Sequence, residues 1–224
     1  MNYLISVPTY VGLTFLATTL LSIWLFFKTT NQSKLTPIIL ILWVLIQSYA
    51  ALSGLYLDTS AIPPRILLSI IPVFVFIGIL FNTKKGQAFI DSLSLEKLTL
   101  LHIVRIPVEI VLYWLFLNKA IPELMTFEGR NFDILAGITA PIVYYFAFVK
   151  KYMNHKMLLG WNIICLLLLI NIVVNAILAS PVPFQQFAFE QPNIAILYFP
   201  YNLLPSVVVP LVLFSHLVAI RRLL

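Results

Sequence analysis

Residues 101–116, LHIVRIPVEIVLYWLF, form an apolar run that contains two charged residues, Arg105 and Glu109. The run has the composition of the middle of a membrane-spanning helix, where one charged side chain costs about 2.5–3.5 kcal/mol on insertion scales. The spacing of four residues places the guanidinium and the carboxylate on one helical face, where each can relieve the other. We therefore expect both side chains to face the interior of a helix bundle or a wet cavity, and not lipid.

The composition of the whole chain is that of an integral membrane protein. Hydrophobic residues make up 61% of the 224 residues and charged residues only 10%, whereas soluble domains have about 45–50% and about 25%. No Gly-rich phosphate cradle and no spaced histidine pair of the zinc-enzyme type occurs in the sequence. We predict no metal, no other cofactor and no nucleic-acid partner.

Seven apolar stretches have about the 20 residues that are needed to cross a bilayer. They are Tyr10–Phe27, Leu35–Leu57, Pro64–Phe81, Leu98–Leu117, Phe132–Val149, Met157–Leu178 and Tyr198–Ile220. The sequence thus predicts a single all-α integral membrane domain, residues 1–224, with seven transmembrane helices. Interior prolines such as Pro72, Pro141 and Pro210 predict kinks in several of them.

Basic residues alternate between the two sides of the predicted spans. One side carries Lys28, Lys34, Lys84, Lys85, Lys97, Lys150, Lys151, Lys156, Arg221 and Arg222. Because Lys and Arg concentrate in cytoplasmic loops, we expect these ends in the cytoplasm, the N-terminus outside and the C-terminus in the cytoplasm. The protein is predicted to lie in the cell membrane.

The connection at residues 84–97, KKGQAFIDSLSLEK, carries apolar residues at helical spacing beside Lys84 and Lys85. This pattern predicts a short interfacial cytoplasmic helix that lies on the anionic inner leaflet. Membrane lipids are therefore expected partners of the chain.

Polar side chains of other spans lie at a depth similar to that of Arg105 and Glu109. Gln47 lies within the second span, and Asn171 and Asn175 share one face of the sixth. Tyr144 and Tyr145 lie near mid-depth in the fifth span. Because buried polar groups need hydrogen-bond partners, we expect these side chains to form one polar cluster. Two interpretations stay open: a ligand or ion pocket, and an interhelical hydrogen-bond clamp that fixes the packing.

Two long connections on the predicted outer side are rich in polar and aromatic residues. In the first, Asn131 is read as a helix N-cap and Asp133 as a partner of the helix dipole. The second, with its interspersed phenylalanines, is expected to form an aromatic belt or to fold over a cavity. The candidate ligand-binding residues in these connections are Glu128, Arg130, Gln186 and Glu190.

These features favour a membrane protein that binds or transports a small polar or anionic molecule in a polar cavity open to the outside. Arg105 would counter the charge of the molecule, and Glu109 would hold Arg105 or relay a proton. One alternative is a subunit or assembly factor whose outer loops contact a membrane-protein partner. A further alternative is a membrane-embedded enzyme that acts on a lipid-linked substrate, although the sequence assigns no catalytic residue.

Overall fold

The computed structural model describes residues 7–31 and 33–224, which form helices and turns with no strand among them. Residues 1–6 belong to the N-terminus, which is predicted to lie on the outer side of the membrane, and they are not among the described residues. A 3-10 turn, His102–Val104, joins α5 to α6, and π-helical segments follow α7 (Tyr145–Val149) and precede α9 (Leu204–Val208). The α-helices are α1 (Thr9–Thr29), α2 (Leu35–Leu52), α3 (Leu67–Asn82), α4 (Lys84–Ser92), α5 (Leu95–Leu101), α6 (Arg105–Leu117), α7 (Ile134–Tyr144), α8 (His155–Leu178) and α9 (Val209–Leu223).

Several of these helices have the length and composition of membrane spans. Among the described residues, five helical segments qualify, namely Thr9–Thr29, Leu35–Leu52, Leu95–Leu117, His155–Leu178 and Leu204–Leu223. Helices α3 and α4 meet the same criterion only together, and the two are bent by 91° relative to each other. The apolar segment Ile134–Val149 is shorter than the others. The long apolar helices are compatible with a membrane protein.

The helix predicted at residues 84–97 is shorter in the structure, and its interfacial position stays a prediction. Helix α4 ends at Ser92, and Ser94 begins the next helix, because its hydroxyl accepts a hydrogen bond from the Lys97 amide. A Cβ atom at Gly86 would lie 2.3 Å from the Leu80 carbonyl oxygen, so this close return of the chain requires glycine.

The start of the last helix also differs from its prediction. The helical segment begins at Leu204 and not at Tyr198. Phe199 precedes Pro200, and the residue before a proline is disfavoured in the helical conformation. The residues between Tyr198 and Leu204 form turns instead.

The described helices differ widely in burial. The central segments are Leu95–Leu117, which packs against α1 and α7, and Leu204–Leu223, which packs against α5 and α8. In the most apolar part of Leu204–Leu223, 61% of the residues are buried, whereas in the most apolar part of α2 only 11% are buried. Helix α2 is thus a peripheral element that leaves most of its apolar surface uncovered.

Candidate functional site: a buried network around Arg105

Arg105 lies at the start of α6, directly after the 3-10 turn, and its side chain is 3% exposed. Its Nη1 atom donates to Asp133 Oδ1 at 2.7 Å and, more weakly, to the Cys165 carbonyl oxygen at 3.4 Å. Its Nη2 atom lies 2.9 Å from His216 Nε2. The structure therefore pairs Arg105 with Asp133 in place of the expected ion pair with Glu109.

Glu109 lies one turn further along α6 and is 2% exposed. Both of its carboxylate oxygens accept from Asn131 Nδ2, at 2.6 and 2.7 Å. Asn131 Oδ1 in turn accepts from the Asp133 amide at 3.0 Å. Asp133, and not the predicted Asn131, is the N-cap residue of α7, which begins at Ile134. Two residues of the connection between α6 and α7, Asn131 and Asp133, thus supply the partners of both predicted site residues of α6.

His216 of α9 continues the network on the opposite side of Arg105. Because a guanidinium can only donate, His216 Nε2 must accept, and its Nδ1–H donates to Asn162 Oδ1 at 2.9 Å. The His216 ring stacks on the His102 ring with centroids 3.9 Å apart. The two histidines therefore pack as a pair.

The network leaves two buried polar atoms without a hydrogen-bond partner among the described residues. They are Arg105 Nε and His102 Nδ1. Most buried polar groups in proteins are hydrogen-bonded, so each exception calls for an explanation. Both atoms belong to side chains that touch His216, which places the two exceptions in one part of the network.

Helix α7 approaches this network closely because of a glycine. A Cβ atom at Gly137 would lie 2.9 Å from Ile106 Cγ1 and 3.2 Å from Arg105 Cβ. These distances are shorter than ordinary van der Waals contacts, so a larger residue would push α7 away from α6. Gly137 therefore holds the helix that follows Asp133 against the base of the Arg105 side chain.

The other candidate residues of the spans lie in separate hydrogen-bond groups. Gln47 accepts from the Tyr56 hydroxyl through its side chain and from Asn202 Nδ2 through its backbone oxygen. Asn171 Nδ2 donates to the Arg130 carbonyl oxygen at 2.9 Å, and Asn175 Nδ2 donates to the Asn171 carbonyl at 3.0 Å. The expected single polar cluster is therefore split into three.

The candidate residues of the outer connections do not line the network with their side chains. Arg130 contributes its backbone oxygen to Asn171, and the Gln186 side chain bonds only locally, to the Phe184 carbonyl. The exposed candidates are Glu128, Arg130, Gln186 and Glu190.

The network is enclosed by protein in this structure. Neither Arg105 nor Glu109 lines any of the four best-defined cavities among the described residues. A cavity lined by Val108 and Met125 measures about 10 Å³, which is space for about one water molecule. Within residues 7–31 and 33–224, no group of three His, Cys, Asp or Glu residues could hold a metal ion.

Sequence reasoning did not assign Asp133, Asn131, His216 or Asn162 to the site. Asp133 and Asn131 each had a sufficient local explanation at a helix start. One sequence feature does indicate that His216 and Asn162 have partners. Both are polar residues inside apolar helices, where an unpaired polar group is costly.

Comparisons with known proteins place most of the chain in one family model. The model is described as a domain of unknown function (DUF8737), and it matches residues 63–224. The matched range includes every residue of the Arg105 network. No curated protein and no solved structure matches the chain.

Proposed function

We propose a function for a chain that belongs to the DUF8737 family: it is a multi-pass protein of the cell membrane that binds or transports a small anionic or polar molecule at Arg105. One observation carries this proposal. The partner of Arg105 is the Asp133 carboxylate, which comes from the end of the outer connection and lies 2.7 Å from Nη1. Asp133 thus occupies the position on the guanidinium that the anionic group of a ligand would take.

The proposed membrane arrangement has seven spans. Five are the long apolar helices, one is α3 with its bent neighbour α4, and one is Ile134–Val149. The sixteen residues of Ile134–Val149 extend about 24 Å, and flanking residues add to this length. The hydrocarbon core that this span would cross is about 30 Å thick. The alternation of basic residues supports an external N-terminus and a cytoplasmic C-terminus.

The donors of Arg105 favour an acceptor-rich ligand. A guanidinium has five N–H groups, and Nε is without a partner among the described residues. Carboxylate and phosphate groups match such a fork of donors and bind it with charge-assisted hydrogen bonds. A small molecule with one of these groups would exchange with Asp133 on Arg105.

The outer connection is the segment that would open the site. Asn131 and Asp133 are two residues apart, so displacement of this one segment would release Glu109 and Arg105 together. The segment is attached to α8 by the hydrogen bond from Asn171 to the Arg130 carbonyl. In the proposed orientation the opening faces outward.

The double variant Arg105→Met with Asp133→Leu tests this function. It removes both charges of the buried pair, and such replacement is often neutral or stabilising, by about 1–4 kcal/mol. We expect the variant to fold in liposomes. Its uptake or binding of formate, acetate and inorganic phosphate should be at least about tenfold lower than that of the parent protein. That loss corresponds to the roughly 1.5–3 kcal/mol of a hydrogen bond to a charged group.

The matched control is Arg65→Met with Asp58→Leu. It removes an ion pair of the same type, 2.8 Å long, but exposed, and uptake should stay at the parent value. A folded double variant at Arg105 and Asp133 that still takes up the probes would show that the network is only a packing clamp. A parent protein that binds none of the three anions would exclude this ligand class.

A further inference from the structure

A second site lies away from the Arg105 network, between α2, α3 and the segment Leu204–Leu223. It is a cavity of about 270 Å³, which we call the α2 groove. Ile39 and Phe76 in its wall are 46% and 50% exposed, so the cavity opens at the surface of the bundle. Its walls are mainly apolar and include Ile39, Leu40, Val73, Phe76, Ile77 and Phe214.

The α2 groove exists because α2 is attached to the bundle most closely along its second half. Pro210 has no N–H, so the Ser206 carbonyl four residues earlier loses its helical donor. Trp43 Nε1 donates to this carbonyl at 2.9 Å, and Asn202 Nδ2 donates to the Gln47 carbonyl at 2.9 Å. Between Leu35 and Gln47, α2 has no buried residue. The half of α2 that carries Leu35 is therefore less buried than the half that carries Gln47.

Basic side chains lie at the end of the groove where α2 begins. Lys34 lies between two lining residues, Ser33 and Leu35. Lys85 lies four residues before the lining residue Phe89, hence on the same face of α4. Both lysines are exposed, and neither forms an ion pair within the described part of the chain.

A basic residue at the same end of the bundle is paired with an acidic one, in contrast to Lys34 and Lys85. Arg221, at the same end of the bundle, is neutralised by Asp91 at 2.8 Å. The groove thus combines an apolar channel with two free cations at one end. This combination complements an anionic amphiphile.

We propose that the α2 groove binds an anionic phospholipid, with one acyl chain between α2 and α3 and the phosphate group at Lys34 and Lys85. Basic pockets between transmembrane helices are known to bind anionic headgroups.

Native mass spectrometry of the purified full chain tests the lipid site. The protein is equilibrated with equal amounts of phosphatidylglycerol and phosphatidylcholine that carry the same acyl chains. We expect the parent protein to retain phosphatidylglycerol with a preference on the order of tenfold, because each basic residue near the headgroup adds to the attraction. Lys34→Gln with Lys85→Gln should reduce this preference to about equal retention of the two lipids.

Two control variants make the result specific. Lys151→Gln with Lys156→Gln removes two exposed charges at the same end of the bundle and should leave the preference unchanged. Ile39→Trp fills the groove and should abolish retention of both lipids, whereas Ile38→Trp, at an exposed neighbour that does not line the groove, should not. Should Ile39→Trp fail to fold, the lysine variants decide alone, since their side chains are exposed.

Three outcomes would overturn the lipid site. They are equal retention of both lipids by the parent protein, an unchanged preference in the Lys34 and Lys85 variant, and undiminished retention by a folded Ile39→Trp protein. The lipid site does not depend on the function proposed for Arg105, so either can fail without the other.

Discussion

The Arg105 network and the α2 groove are two regions of one bundle with opposite packing. Around Arg105, charged and polar side chains from α6, α8, α9 and the connection between α6 and α7 fill the space between the helices. Along the first half of α2, apolar side chains leave an open groove. Apolar side chains gain little by leaving lipid for a helix interface, because both environments are apolar. Hydrogen bonds from Trp43 and to the Gln47 carbonyl therefore contribute much of the attachment of α2.

The largest effect is expected from Asp133→Leu alone. It leaves the Arg105 guanidinium buried without its carboxylate, which should reduce the free energy of unfolding by about 3–5 kcal/mol. Denaturant titration in detergent micelles measures this loss. Asp58→Leu, in the exposed Arg65 pair, is the control and should change little. Equal losses in the two variants would contradict the contrast between buried and exposed pairs.

A smaller effect is expected at the contact between α7 and α6. Gly137→Ala should destabilise the protein by about 1–3 kcal/mol, because its new methyl group overlaps with Ile106 and no space is free. Gly78→Ala, where the methyl group meets no atom within 4 Å, should be neutral or should stabilise α3 by up to about 1 kcal/mol. Thermal unfolding of both variants checks the difference. A stable Gly137→Ala protein would show that the helices can separate.

The attachment of α2 should respond more weakly. Trp43→Phe removes the donor to the Ser206 carbonyl, a loss of about 1 kcal/mol. Amide hydrogen exchange should increase along α2, and exchange along α8 should stay unchanged. Trp24→Phe, at a side chain that is 53% exposed, is the matched control. Unchanged exchange in α2 would show that the indole hydrogen bond does not fix this helix.

The smallest effect is expected at Asp58. Its pKa lies below the usual value, because the Ser60 hydroxyl donates to the carboxylate and Arg65 lies beside it. A carboxyl group with a lowered pKa stabilises the fold above its unfolded pKa, and this contribution is lost as the pH falls through the folded pKa. Asp58→Asn should therefore remove a small stability difference between neutral pH and a pH below about 4. A pH titration of the unfolding midpoint measures it, and an unchanged pH profile would contradict this assignment.

The sequence predicted the helical segments well because their signal is local. Each of the seven apolar stretches is helical over most of its length, and the burial of Arg105 and Glu109 followed from the cost of charges in lipid. The exact helix ends at Ser92 and Leu204 were missed, since a serine cap and the residue before Pro200 outweigh the apolar pattern there. The number of spans and their orientation stay predictions.

The partners within the site could not be predicted from residue spacing. Arg105 and Glu109 are four residues apart on one helix, yet each bonds to the outer connection, because Gly137 brings α7 close to α6. Depth along a helix axis also gave no information on which face Gln47 presents to its neighbours. Helix rotation depends on contacts between distant parts of the chain, and a local pattern does not contain them.

The central claim is that Asp133 holds the place of an anionic ligand on Arg105. Its most direct test is thermal unfolding of Asp133→Ala protein with and without formate, which replaces the missing carboxylate. We expect formate to raise the unfolding midpoint of this variant and to leave the midpoint of Asp58→Ala protein unchanged. At one hundred times its Kd, formate should add up to about 2.7 kcal/mol to the free energy of unfolding of the Asp133→Ala protein. If formate shifts both variants equally or neither of them, Arg105 does not accept an anion from solution, and the proposed site is contradicted.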